Sequence, residues 1–126
     1  MMNFDNWKKG IISTIFIFAD LDGQRKLWVE GSSEGFSSWE EAYCQLFDDY
    51  DFDGFIKMYC CEESTKLSAN ICKLLKQFRD EVTKYGNKFS NIAVDPEFIL
   101  SDPDWQRICN MAKALLDQIN YRSSNT

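Results

Sequence analysis

The stretch TKLSANICKLLKQFRDEVTKY (residues 65–85) decides the fold class of this sequence. Its apolar residues recur every three or four positions and form one stripe, with lysines on the opposite side. The members of that stripe are Leu67, Ile71, Leu74, Leu75, Phe78 and Val82. Gly86 follows, at a position where a residue in the left-handed conformation commonly ends a helix. The pattern predicts an amphipathic helix over residues 65–85, closed by Gly86.

A last helix is predicted to begin at Asp102, because Pro103 then takes the first helical position, which proline favours. Its predicted core face is Trp105, Ile108, Ala112, Leu115, Leu116 and Ile119. Residues 88–100, which include Asp95 and Pro96, are predicted to be a connector. Residues 121–126 are predicted to fray.

Upstream, Ser37 and Glu40 have the spacing of a capping box and predict the start of another helix. Its predicted buried face is Trp39, Ala42, Tyr43, Leu46 and Phe47. Residues 30–35 (EGSSEG) predict a loop. The short apolar run FIKMYCC (residues 55–61) predicts a strand.

Residues 4–29 fit two structures, a helix, which we favour, or a hairpin that turns at Asp22 and Gly23. We therefore expect a mainly α fold of about four helices with a possible small β element, and an α+β fold as the alternative. At 126 residues, one globular domain over residues 1–122 is predicted, with a frayed tail over residues 123–126. The tryptophans are expected in the core.

The composition disfavours several classes of function. There is no histidine, so the commonest general base and metal ligand are missing. The carboxylate pairs at residues 48–49 and 62–63 have no activated nucleophile, histidine or glycine-rich loop near them in sequence, so we predict that the chain is not an enzyme and has no cofactor or metal. The five cysteines are odd in number and unpaired by motif, which favours reduced core residues in a cytoplasmic protein. No apolar run approaches the roughly 20 residues that span a bilayer, so no membrane contact is predicted.

The charge of −6 is concentrated in one quarter of the chain. Residues 30–63 hold ten acidic residues and one lysine, a net charge of −9, whereas both flanking segments are weakly positive. Phosphate backbones require lysine and arginine, so nucleic-acid binding is disfavoured. A one-signed surface instead steers association with a basic protein.

The acidic stretch LFDDYDFDGFIKMYC (residues 46–60) admits three interpretations. Asp49, Asp51, Asp53 and Gly54 match the first half of an EF-hand loop, but the twelfth position, which should be a bidentate glutamate, is Cys60. The second interpretation is a solvated turn. The third is a docking surface for a basic partner, anchored by interleaved aromatics. The candidate partner-binding residues are Glu40, Glu41, Asp48, Asp49, Tyr50, Asp51, Phe52 and Asp53.

Three stretches together carry a family resemblance: LDGQRKLWVEG (residues 21–31), SSWEEAYCQLFDD (residues 37–49) and LSDPDWQRICNMAKALL (residues 100–116). They resemble the small bacterial immunity proteins encoded beside the toxins of contact-dependent growth inhibition and related polymorphic toxin systems. The resemblance implies a cytoplasmic, stoichiometric inhibitor that needs no catalytic residue. Such proteins are often acidic when the toxin is a basic nuclease.

The predicted function is therefore binding and neutralisation of a cognate toxin by protein–protein contact. By the chemistry of the acidic stretch, the aspartates would steer and pair with the toxin, and Tyr50 and Phe52 would anchor it. The alternatives are an acidic intracellular adaptor that docks a basic partner and a calcium-binding domain.

Overall fold

A computed structural model describes residues 3–29, 39–61, 64, 66–88 and 95–124. Within these ranges the chain forms seven α-helices and two short π-helical segments, and no strand. In chain order they are α1 (Phe4–Ala19), α2 (Leu21–Gln24), π1 (Arg25–Val29), α3 (Trp39–Cys44), π2 (Gln45–Asp49), α4 (Phe52–Tyr59), α5 (Ala69–Lys88), α6 (Pro96–Ser101) and α7 (Pro103–Ser124). The described part of the chain is thus all-α. The prediction of about four helices with a β element is wrong.

Helix α7 is the centre of the packing, because it contacts both α1 and α5 extensively. Trp105 is fully buried near its start and packs against Phe18 of α1, with ring centroids 5.6 Å apart. Tyr85 of α5 lies on the same indole at 5.2 Å. The predicted core face of α7 is confirmed, since all six of its residues are buried.

A buried amide fixes the N-terminal segment to α7. The Nε2 of Gln24 donates to the carbonyl oxygens of Ile17 and Phe18, at 2.8 and 2.9 Å. Its Oε1 accepts from the indole nitrogen of Trp105 at 2.9 Å. Every strong hydrogen-bonding atom of this amide therefore has a partner, which removes most of the cost of burying it.

One strand prediction and one hairpin alternative are wrong, and both arose from short apolar runs. Residues 55–61 were predicted to be a strand, but α4 occupies Phe52–Tyr59, because Phe52, Phe55, Ile56 and Tyr59 share one helical face. The hairpin alternative for residues 4–29 is likewise wrong, and the favoured helix is confirmed as α1. Short apolar runs fit both periods, so their pattern alone does not separate the two structures, and in the structure Asn3 caps α1 and Asp51 caps α4.

The bounds of the later helices differ in part from those predicted from the sequence. Helix α5 begins at Ala69 and runs through Gly86, so that glycine is inside the helix and does not end it. The connector predicted over residues 88–100 contains α6, which Asp95 caps by accepting from the amide of Glu97 at 3.0 Å. The start of α7 at Pro103 is confirmed. The predicted capping box at Ser37 and the loop at residues 30–35 lie outside the described residues.

None of the described helices is both long and apolar enough to cross a bilayer. Three of the four tryptophans, Trp7, Trp28 and Trp105, are buried as predicted. The side chain of Trp39 lies outside the described residues.

Candidate docking surface

The acidic corner, defined here as residues 48–54, joins π2 to α4 and lies against α1. Its central residue, Tyr50, is fixed at two points. The indole nitrogen of Trp7 donates to the Tyr50 carbonyl oxygen. The ring of Tyr50 packs directly over Gly10, so closely that a Cβ atom at that position would overlap it. Tyr50 is therefore held in place by the helix beneath it.

A second polar connection joins the same two elements. Gln45 of π2 donates from Nε2 to the Thr14 hydroxyl at 2.6 Å, and that hydroxyl donates to the carbonyl oxygen of Gly10 at 3.0 Å. Thr14 is fully buried. The segment π2, which leads into the acidic corner, is thus anchored on α1 by two side chains that lie 31 residues apart in sequence.

Asp51 sets the direction of α4. Its backbone has a φ of 44°, the left-handed region that L residues rarely adopt, although aspartate tolerates it better than most. Its carboxylate accepts from the amide of Gly54 at 3.2 Å and caps the helix. A side chain at Gly54 would collide with that carboxylate, so the glycine leaves the space that the cap occupies.

An open groove lies beside this corner, between the π2–α4 junction and the start of α1. Its volume is about 550 Å³. The lining residues are Trp7, Asp49, Tyr50, Asp51, Gly54, Lys57 and Met58. Met58 is 45% exposed, one of the most exposed large apolar side chains in the described structure. The groove therefore combines apolar surface with carboxylates.

The predicted aspartates divide between two sides of the corner. Asp49 and Asp51 line the groove. Asp53 lies 3.8 Å from the guanidinium of Arg79 on α5. The negative charges of Asp48 and Asp53 both influence the phenol of Tyr43. Partial burial and then these two carboxylates raise the pKa of the Tyr43 phenol.

Glu40 and Glu41 are exposed on α3 and continue the negative surface beyond the corner. Cys44, one turn after Glu40, lies in the same field. Partial burial, followed by the charge of Asp48, raises the pKa of the Cys44 thiol. The structure thus brings six predicted carboxylates onto neighbouring elements, but only two of them onto the groove.

Phe52, predicted to be one of two aromatic anchors for a partner, lies instead in the core. Its side chain is fully buried and packs against Phe47 and Phe78, with ring centroids 5.9 and 6.2 Å apart. Phe52 is the first residue of α4, so its side chain points to the core. Tyr50 is half-buried and lines the groove, so of the two predicted anchors it alone meets solvent there.

The EF-hand interpretation does not survive the backbone conformation. The residues that would form the middle of a calcium loop belong to helix α4, and one oxygen of the Asp51 carboxylate accepts from the Gly54 amide as its cap. In the described ranges, no group of three or more candidate ligands is placed to hold a metal ion.

The cysteines differ from the sequence prediction. Cys60, which ends α4, forms a disulfide with Cys72 of α5, with Cα atoms 5.4 Å apart. Cys44 and Cys61 are exposed, and only Cys109 is a free, buried cysteine. Burial raises the pKa of the Cys109 thiol to about 11. The packing of α4 against α5 brings the bonded pair together, and no sequence motif signals it.

No family model, curated protein or solved structure matches this sequence. The function must therefore be inferred from the surface itself. Sequence reasoning missed Trp7, Gly10, Lys57 and Met58 as parts of it. Met58 and Lys57 were hidden by the strand prediction, whereas Trp7 and Gly10 lie some forty residues away in sequence and carried no local signal.

Proposed function

We propose that this chain is an immunity protein that binds a cognate toxin, a basic nuclease domain, and neutralises it by stoichiometric contact in the cytoplasm. The observation that carries the proposal is the fixed acidic corner. Four exposed aspartates of the corner surround the half-buried Tyr50, whose ring and backbone carbonyl both contact α1. A rigid, one-signed surface of this kind suits rapid association with a basic partner.

Inhibition by this route needs no catalytic group on the inhibitor. The active site of a nuclease is basic because it binds phosphate, and a negative surface that covers it competes with the substrate. The contacts that Tyr50 makes with α1 limit the side-chain entropy lost on binding, since the residue is ordered before the partner arrives.

The test is a pull-down from the source bacterium with the full chain as bait, eluted by a salt gradient and identified by mass spectrometry. We expect one basic partner that is retained at low salt. Expression of that partner alone should stop growth, and co-expression of this chain should restore it. A basic partner that is harmless alone would instead make the chain an adaptor. If the pull-down recovered no specific partner, the proposed function would be wrong.

A further inference from the structure

Within the described part of the chain, the groove beside the acidic corner places exposed apolar surface next to two carboxylates that form no ion pair. Trp7 and Tyr50 supply aromatic surface, and Met58 supplies a flexible thioether chain. Among the described residues, no lysine or arginine lies within ion-pair distance of Asp49 or Asp51. Asp53, in contrast, has Arg79 nearby. Asp49 and the Oδ2 atom of Asp51, whose Oδ1 atom caps α4, are thus available to a ligand.

One type of side chain satisfies both features of this groove. The arginine guanidinium is planar, stacks on aromatic surfaces and pairs with carboxylates through two parallel hydrogen bonds. A lysine ammonium is more strongly hydrated and does not stack in this way. Methionine adapts its shape to what lies against it, so Met58 can cover the aliphatic part of the ligand.

The size and remaining charge of the groove narrow the ligand further. A volume of about 550 Å³ falls within the range of pockets for drug-sized ligands, about 300–1,000 Å³, so more than one side chain fits. Lys57 also lines the groove and repels a second cation. The neighbours of the arginine should therefore be apolar, and a purely basic run is disfavoured.

We propose that the groove binds an arginine flanked by apolar residues on a surface segment of the protein partner. This inference rests on the proposed function and specifies how the partner is recognised. The guanidinium pairs with Asp49 and Asp51, while the apolar neighbours pack on Met58 and the edge of Trp7.

The test is an NMR titration of the full chain, labelled at its methionine methyl groups, with acetyl-Leu-Arg-Leu-amide. A matched peptide carries citrulline, which keeps the shape of arginine and removes its charge. We expect a saturable shift of the Met58 methyl signal, with binding of the citrulline peptide weaker by about fivefold or more. In Asp49→Asn/Asp51→Asn the two peptides should bind alike, since asparagine keeps the cap and the left-handed backbone at position 51. The control Asp22→Asn/Asp117→Asn removes the same charge from α2 and α7 and should retain the difference.

Equal binding of both peptides, or no shift of Met58, would overturn this inference. A Met58 shift that depends only on the concentration of the protein would assign the groove to a second copy of the chain and overturn it as well. The proposed function fails separately. Capture of a toxic basic partner with an unresponsive Met58 leaves the function standing without the groove. A responsive Met58 with no toxic partner leaves the groove as a docking site without the function.

Discussion

The Tyr50 ring packs over Gly10 so closely that a Cβ atom there would overlap it, and this predicts a reversal of the usual effect of alanine in a helix. Alanine is ordinarily better than glycine inside a helix, by about 0.5–1 kcal/mol. At position 10 the added methyl would overlap the Tyr50 ring. We expect Gly10→Ala to lower the free energy of unfolding by about 1–3 kcal/mol. In the Tyr50→Ala background, the same substitution should raise it by about 1 kcal/mol.

Urea denaturation of the four proteins, wild type, each single variant and the double variant, measures this coupling directly. Ser13→Ala, an exposed change on the same helix, is the control and should change stability little. If Gly10→Ala stabilised the wild type, the ring would be free to move away, and Tyr50 would not be a fixed anchor.

Tyr85 gives the protein a pH dependence at alkaline pH. Its hydroxyl donates to the buried carboxylate of Asp102 at 2.9 Å. Burial, followed by that hydrogen bond and the Asp102 charge, raises the pKa of Tyr85 well above its ordinary value of 10.0. The folded chain then keeps a proton that the unfolded chain releases. Its contribution to the free energy of unfolding is therefore complete below about pH 10 and is lost as the pH rises above that.

Tyr85→Phe should remove this dependence. At neutral pH it should also cost about 1–3 kcal/mol, because the Asp102 carboxylate loses a hydrogen-bond donor inside the protein. Denaturation curves measured at several values from about pH 8 to about pH 11 should converge for the two proteins. The Tyr43 contribution has the same sign but is present in both, so it cancels in the comparison. Parallel curves would show that Tyr85 does not titrate as described.

At the scale of elements, α4 is a short helix held at both ends. Asp51 caps its start and the Cys60–Cys72 disulfide ties its end to α5. By the chain-entropy account, closing a loop of this size stabilises a protein by about 3 kcal/mol. We expect reduction, or Cys60→Ser/Cys72→Ser, to lower the free energy of unfolding by up to that amount. Because the cytosol favours dithiols, the reduced value applies in the proposed compartment.

The measurement is chemical denaturation with and without a dithiol reductant. Cys44→Ser/Cys61→Ser changes two exposed free cysteines and is the matched control, which should remain sensitive to the reductant. An equal effect of reductant on the Cys60→Ser/Cys72→Ser protein would show that the bond does not contribute.

The elements also show what sequence patterns can and cannot predict. The start of α7 was predicted correctly because Pro103 is a local signal and the six core residues repeat over about four turns. Helix α4 was missed because the short apolar run at residues 55–61 fits a strand as well as a helix. Its capping by Asp51 depends on a left-handed backbone conformation, which the presence of an aspartate does not predict.

The candidate site was predictable only in part. Local charge predicted the aspartates, and they are exposed. The anchors required tertiary knowledge, because Tyr50 and Phe52 are two residues apart and the start of α4 sends one to the groove and the other to the core. Trp7 and Gly10 join the site only through the packing of α1 against π2.

For the whole molecule, the distribution of charge predicts the kinetics of association. The net charge of −6 is modest, but residues 30–63 alone carry −9. With the captured partner, Asp49→Asn/Asp51→Asn should lower the association rate constant by about tenfold at low salt and flatten its salt dependence. Asp22→Asn/Asp117→Asn has the same net charge and should behave like the wild type. Stopped-flow mixing over a range of salt concentrations distinguishes them, and equal losses in the two variants would mean that only net charge matters.

The indole hydrogen bonds of Trp7 and Trp105 have a further consequence for how the molecule opens. The Trp105 indole proton is held by the buried amide of Gln24 at the centre of the bundle, so its exchange with deuterium requires global unfolding. The Trp7 indole proton is held by the carbonyl of Tyr50, so it exchanges whenever the acidic corner lifts from α1. The exchange rates of these two indole protons therefore report separately on global unfolding of the bundle and on local opening of the acidic corner.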